Sequence, residues 1–173
     1  MGRNTNYINA ELRQVKKKNH SYLTMNLLFL IILPAFSISE EIIFEHESFN
    51  WALAGKWFIF WAIGMRLFTA GISQATNPGF TARIFKMKTQ ESFVVIRELG
   101  FANISMGITG ILSVINDQWR LLAAISGGFF LGLAGILHLF KRPDSKNEVI
   151  AMIYDLSVLV LILFYLAFTL YNH

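Results

Sequence analysis

Ile96-Arg97-Glu98-Leu99-Gly100-Phe101-Ala102-Asn103-Ile104-Ser105-Met106-Gly107 is the stretch whose reading decides the fold, because it sets charge, amide and small residues into an otherwise apolar segment. That segment reads as a transmembrane helix. At about 100° per residue, Glu98, Ala102, Ser105 and Thr109 share one face, while Gly100, Asn103, Gly107 and Gly110 lie roughly opposite. Small residues on both faces allow close helix approach from two sides.

The surrounding chain has the same character. Hydrophobic residues fill 54% of the 173 positions and charged ones only 15%, in apolar runs longer than a soluble helix needs, so the expected class is a polytopic membrane protein. The predicted fold is all-α: an integral membrane bundle of five transmembrane helices, a four-helix core plus an N-terminal span. Residues 1–20 form a basic cytoplasmic tail and 21–173 a single transmembrane domain, with no linker, repeat or low-complexity tract. The absence of cysteine excludes disulfides and thiolate chemistry. A formal charge of +4 does not imply nucleic acid, because the basic residues cluster beside apolar spans, as membrane topology requires.

The spans are predicted at about 22–38, 51–74, 92–115, 119–140 and 149–170. Arg3, Arg13, Lys16, Lys17 and Lys18 precede the first; Arg83, Lys86 and Lys88 follow the second; Lys141, Arg142 and Lys146 follow the fourth. The intervening segments differ: Glu40, Glu41, Glu45 and Glu47 form an acidic loop, and Asn116-Asp117-Gln118 a lysine-free turn. By the positive-inside rule the N-terminus is cytoplasmic and the C-terminus outside. Trp51, Trp57, Trp119 and Tyr171 fall at the outer ends, where aromatic residues anchor at headgroup level. Pro34 is expected to kink or end the first helix. The competing reading of the first span is a signal peptide cleaved before Glu40, after Ser37 and Ser39.

Ionisable side chains within spans must face protein or water, since each costs at least about 2.5–3.5 kcal/mol near the bilayer centre. Arg66 on span two, Arg97 and Glu98 on span three, His138 on span four and Asp155 on span five all count to the inner half, and small residues accompany most of them. One convergent polar cluster is expected from Arg66, Glu98, His138 and Asp155, with Arg97 and Asn103 beside it, as a substrate or ion site. The alternative is a structural ion-pair network with no ligand. Glu41, Glu45 and His46 have helical spacing for metal ligands but lack a clear fourth group, and no metal or cofactor is expected. Gly128-xxx-Gly132, with Gly127 and Gly135, fits close helix packing, within the bundle or towards a homo-oligomer or membrane partner.

The pattern Lys56-Trp57-Phe58-Ile59-Phe60-Trp61 through Arg66, Arg97-Glu98-Leu99-Gly100-Phe101-Ala102-Asn103, Gly135-xx-His138 and Asp155 resembles a family of uncharacterised small bacterial membrane proteins with a DoxX-like four-helix core. The resemblance covers about residues 51–171 and implies an all-helical bundle in the bacterial inner membrane, but no activity. Transport of a proton or small anion ranks first among functions, with Arg66 as charge partner, Glu98 and Asp155 as proton carriers and His138 as relay. A non-catalytic scaffold or accessory subunit is the alternative, and an enzymatic role ranks below both for want of a nucleophile or metal set.

Overall fold

A computed structural model describes residues 22–46, 48–84 and 91–171, apart from the side chains of 83 and 84. The basic tail, Glu47, the Arg83 side chain, Lys86, Lys88 and the terminal Asn172-His173 therefore lie outside the described residues. Five helices are long and apolar enough to cross a membrane: α1 (Tyr22–Phe44), α2 (Trp51–Thr76), α4 (Glu91–Leu112), α5 (Gln118–Lys141) and α6 (Lys146–Tyr171). A short helix, α3 (Pro78–Ile84), follows α2. Among the described residues there is no strand.

Each boundary has a local cause. Asn50 caps α2 by accepting the Leu53 N–H at 2.7 Å. Pro78 opens α3, where its missing N–H is no loss, so the expected turn at Asn77-Pro78-Gly79 leads into a helix and not directly into loop. Ser145 caps α6, the Glu148 N–H donating to Ser145 Oγ at 3.2 Å, and the Glu148 carboxylate reaches back to accept the Asp144 N–H at 3.0 Å. That cap starts α6 at Lys146, ahead of the expected Val149.

The first helix departs most from expectation. It does not end near Ile38 but continues through Pro34 to Phe44. Proline removes one backbone donor, and a wide turn over Leu28–Ile32 immediately before it, in which Leu33 N–H reaches back to the Leu28 carbonyl, lets the helix absorb the loss. As a result Glu40 and Glu41 stand on the helix and not in a loop. Side-chain bonds tie α1 to α2 along its length: Asn26 to Arg66, Ser37 to Trp61 and Glu41 to Lys56.

Glycine sets the packing of two helix pairs. Between α2 and α4, a Cβ added at Gly64 would stand 2.8 Å from the Gly110 carbonyl carbon, at Gly71 2.6 Å from Gly100 O, and at Gly107 2.5 Å from Phe68 N. The two backbones touch, so no side chain fits between them. Between α5 and α6, Gly128, Gly132 and Gly135 pack on Ile162, Leu159 and Asp155 respectively, and Gly127 receives Ile63 of α2. The glycines of the Gly128-xxx-Gly132 motif therefore face helices of their own chain.

A dry layer crosses the middle of the bundle, where Ile59, Ala62, Ile63, Ala123, Ala124, Val158 and Ile162 are all 0% exposed. The outer surface is also apolar: Phe36, Val95, Leu133 and Phe164, each on a different helix, are more than half exposed. Large apolar patches that would be anomalous in water suit acyl chains.

Candidate functional site

The polar group at Arg66 is built around a break in α2. Over Ile59–Met65 the helix widens, and the Arg66 N–H bonds the Trp61 and Ile63 carbonyls, passing over that of Ala62. The released Ala62 carbonyl accepts a hydrogen bond from the Tyr154 hydroxyl of α6 at 2.8 Å. A side-chain donor from another helix thus satisfies the buried acceptor that the widened turn exposes. Tyr154 is 2% exposed, and the same ring underlies the Arg66 guanidinium at 5.4 Å from its centroid.

Arg66 begins the regular helix after this turn and points among α1 and α6. Its Nε donates to Asn26 Oδ1 and its Nη2 to the Tyr22 hydroxyl, both at the long distance of 3.4 Å. Asp155, next to Tyr154 and only 7% exposed, lies in the field of Arg66. Among the described residues Arg66 closes no ion pair, and Asp155 accepts no hydrogen bond.

Asn103, Arg97 and Glu98 are placed elsewhere, while His138 stays on the Asp155 side of α5. Asn103 is 4% exposed in the α2–α4 seam, where its Nδ2 donates to Gln74 Oε1 at 2.7 Å while its Oδ1 has no partner among the described residues. His138 is half-buried on α5, one turn beyond the Gly135 that packs on Asp155. Arg97 and Glu98 are exposed. The face of α4 carrying Gly100, Asn103, Gly107 and Gly110 is buried, which turns Glu98, Ala102 and Ser105 outward. Glu98 is therefore not brought to Arg66, because both faces of α4 carry small residues and α2 takes the glycine one.

Tyr22, Asn26 and Tyr154 join this group without being among the expected site residues. Tyr22 and Asn26 share a helical face four residues apart in the first span, the available signal. Nothing local marked Tyr154, whose role depends on a turn in a distant segment.

A second polar group stands at the opposite end, near Trp51 and Trp119. Glu41 accepts from Lys56 Nζ at 2.8 and 3.0 Å and from Trp57 Nε1 at 2.5 Å. Arg120 pairs with Asp117, and its Nε donates to the Ser113 carbonyl at 3.4 Å. An open cleft of about 340 Å³ lies between the two pairs. Glu41 is thus committed to Lys56 and Trp57 and does not join Glu45 and His46; among the described residues no three His, Asp or Glu side chains converge as a metal site.

The Glu41–Lys56 pair is 12% and 21% exposed, so stranding one charge has a measurable price. Lys56→Met should destabilise the protein by about 1–3 kcal/mol. The double variant with Glu41→Gln should recover part of that loss, and thermal melts of the single and double variants in one detergent test the coupling. Additive effects would show that the pair contributes nothing.

The model of a family of unknown function matches residues 19–173, which includes the first span. No curated protein and no solved structure matches the chain significantly.

Proposed function

The chain belongs to the DUF6790 family, whose function is unknown, and from that premise we propose, on geometry alone, that it transports a proton or small anion through the group at Arg66 and Asp155. One observation carries this reading: among the described residues Asp155, only 7% exposed, accepts no hydrogen bond, and it lies in the field of an Arg66 whose own bonds are long. A structural lock would close, as Glu41 and Lys56 close at 2.8 Å. An open pair instead leaves acceptors on Asp155 for a proton and donors on Arg66 for an anion.

The dry layer separates this group from the cleft at the other end, so transfer proceeds by rearrangement and not through a standing pore. Wide turns over Ile59–Met65 and Ala124–Gly128 lie within that layer. Such turns recur at functional sites and give α2 and α5 places to repack. The test is proton and anion flux into liposomes containing the purified protein; flux at the empty-liposome level would defeat the proposal.

A scaffold or accessory role is favoured by a different observation, the outward turn of Glu98, Ala102 and Ser105 on α4. A carboxylate on a lipid-facing surface costs about 2.5–3.5 kcal/mol towards the bilayer centre. A second copy or a membrane partner covering this face would remove that cost.

For orientation we propose the bacterial inner membrane, with the N-terminus cytoplasmic and the C-terminus outside, on the distribution of Lys16, Lys17, Lys18, Lys141 and Arg142. The chain has no cysteine, so single cysteines at Glu45 and Asp117 can be labelled without background. Both should react with an impermeant probe from outside the cell, and labelling of both only after the cytoplasmic face is opened would reverse the orientation.

A further inference from the structure

The cleft between α1, α2 and α5 has a hydrogen-bond imbalance that neither the transport reading nor the packing uses. Two cations line it, with Lys56 21% and Arg120 13% exposed. Of the two carboxylates, Glu41 already receives Lys56 and Trp57, while Asp117 is 79% exposed. Arg120 has five N–H donors, and among the described residues only Nε and Nη2 are engaged, with Ser113 and Asp117. Acceptors in the cleft are filled or turned outward, and donors are left over.

We propose that this cleft binds an oxyanion, a carboxylate or phosphate group, held by Arg120 with Lys56 behind it. The planar guanidinium matches the paired oxygens of such groups. Leu53 and Val114 form apolar parts of the wall. A cavity of about 340 Å³ is at the small end of ligand sites, which suits an anion carrying a short chain. The same chemistry is offered by a soluble small acid and by the phosphate of an anionic lipid.

The experiment uses the full chain in phosphatidylcholine nanodiscs, titrated with sodium acetate and with inorganic phosphate at constant ionic strength. Tryptophan emission is the readout, since Trp57 hydrogen-bonds Glu41 beside the cleft. A parallel set of discs contains phosphatidylglycerol. A saturable response to acetate or phosphate that weakens in the phosphatidylglycerol discs identifies the lipid phosphate as a competing occupant; one unaffected by the lipid identifies a soluble anion. Arg120→Gln should weaken the response at least tenfold. Asp117→Asn, which frees an Arg120 donor and removes a rim anion, should tighten it severalfold. No saturable response in any disc, or an Arg120→Gln titration equal to wild type, would overturn the proposal. Should Arg120→Gln fail to fold, Asp117→Asn decides: tightening supports an anion, and unchanged or weaker binding rejects it.

Discussion

Gly107→Ala is expected to lower the thermal midpoint of the protein by several degrees, although the same exchange in an unconstrained helix stabilises by about 0.5–1 kcal/mol. The added methyl would lie 2.5 Å from Phe68 N and 2.8 Å from Phe68 Cα. A side-chain tip can rotate away, but backbone cannot, so α2 and α4 must separate. Overpacking of this kind costs about 1–3 kcal/mol, or about 2–4 °C for each kcal/mol in a chain of this size. The loss should be felt strongly because lipid gives little hydrophobic drive for helix association and close packing supplies much of it. Gly79→Ala is the matched control: the nearest atom to its added Cβ is 3.6 Å away, on the ring of Phe93. Melts followed by far-ultraviolet circular dichroism in one detergent should place Gly79→Ala at or above wild type and Gly107→Ala well below. Coincident melts for Gly107→Ala and wild type would remove the glycine seam as the organiser of the bundle.

The parts of this fold legible in the sequence are those written locally. Hydrophobic runs located the five spans, because a membrane helix needs about 20 apolar residues and little else supplies them. Periodicity correctly grouped Gly100 with Asn103, Gly107 and Gly110 on one face of α4 and Glu98 with Ser105 on the other. It could not say which face meets α2, since that depends on the glycines of a different helix, Gly64 and Gly71. The path through Pro34 was hidden for a similar reason: the wide turn over Leu28–Ile32 is a backbone adjustment with no fixed sequence signature.

The candidate site divides along the same line. Arg66 and Asp155 stood out because ionisable residues in spans are rare. The group around them depends on the bond between Tyr154 and the Ala62 carbonyl, which joins residues 92 positions apart. Lys56 and Arg120 were hard to recognise for the opposite reason, since each sits near a span end where a charge is ordinary. Only the tertiary arrangement brings them to one cleft with Glu41.

Asp155→Asn should abolish proton flux in liposomes while leaving the bundle folded. The exchange keeps the shape of the side chain and removes its ability to carry a proton. Among the described residues Asp155 is in no ion pair and accepts no hydrogen bond, so it gives up no such contact. Arg66 keeps Tyr22, Asn26 and the ring of Tyr154, and stability should change by no more than about 1 kcal/mol. Glu98→Gln tests where the carrier lies, because Glu98 is a carboxylate in the same half of the bundle but faces outward. Under the transport reading its flux should equal that of wild type. A structural role for Asp155 gives a different pattern, in which Asp155→Asn lowers the melting temperature and neither it nor wild type passes protons above the empty-liposome rate. Flux lost in Glu98→Gln but kept in Asp155→Asn would move the proton path to the outer face of α4, and with it the place where a second copy of the chain would have to complete the route.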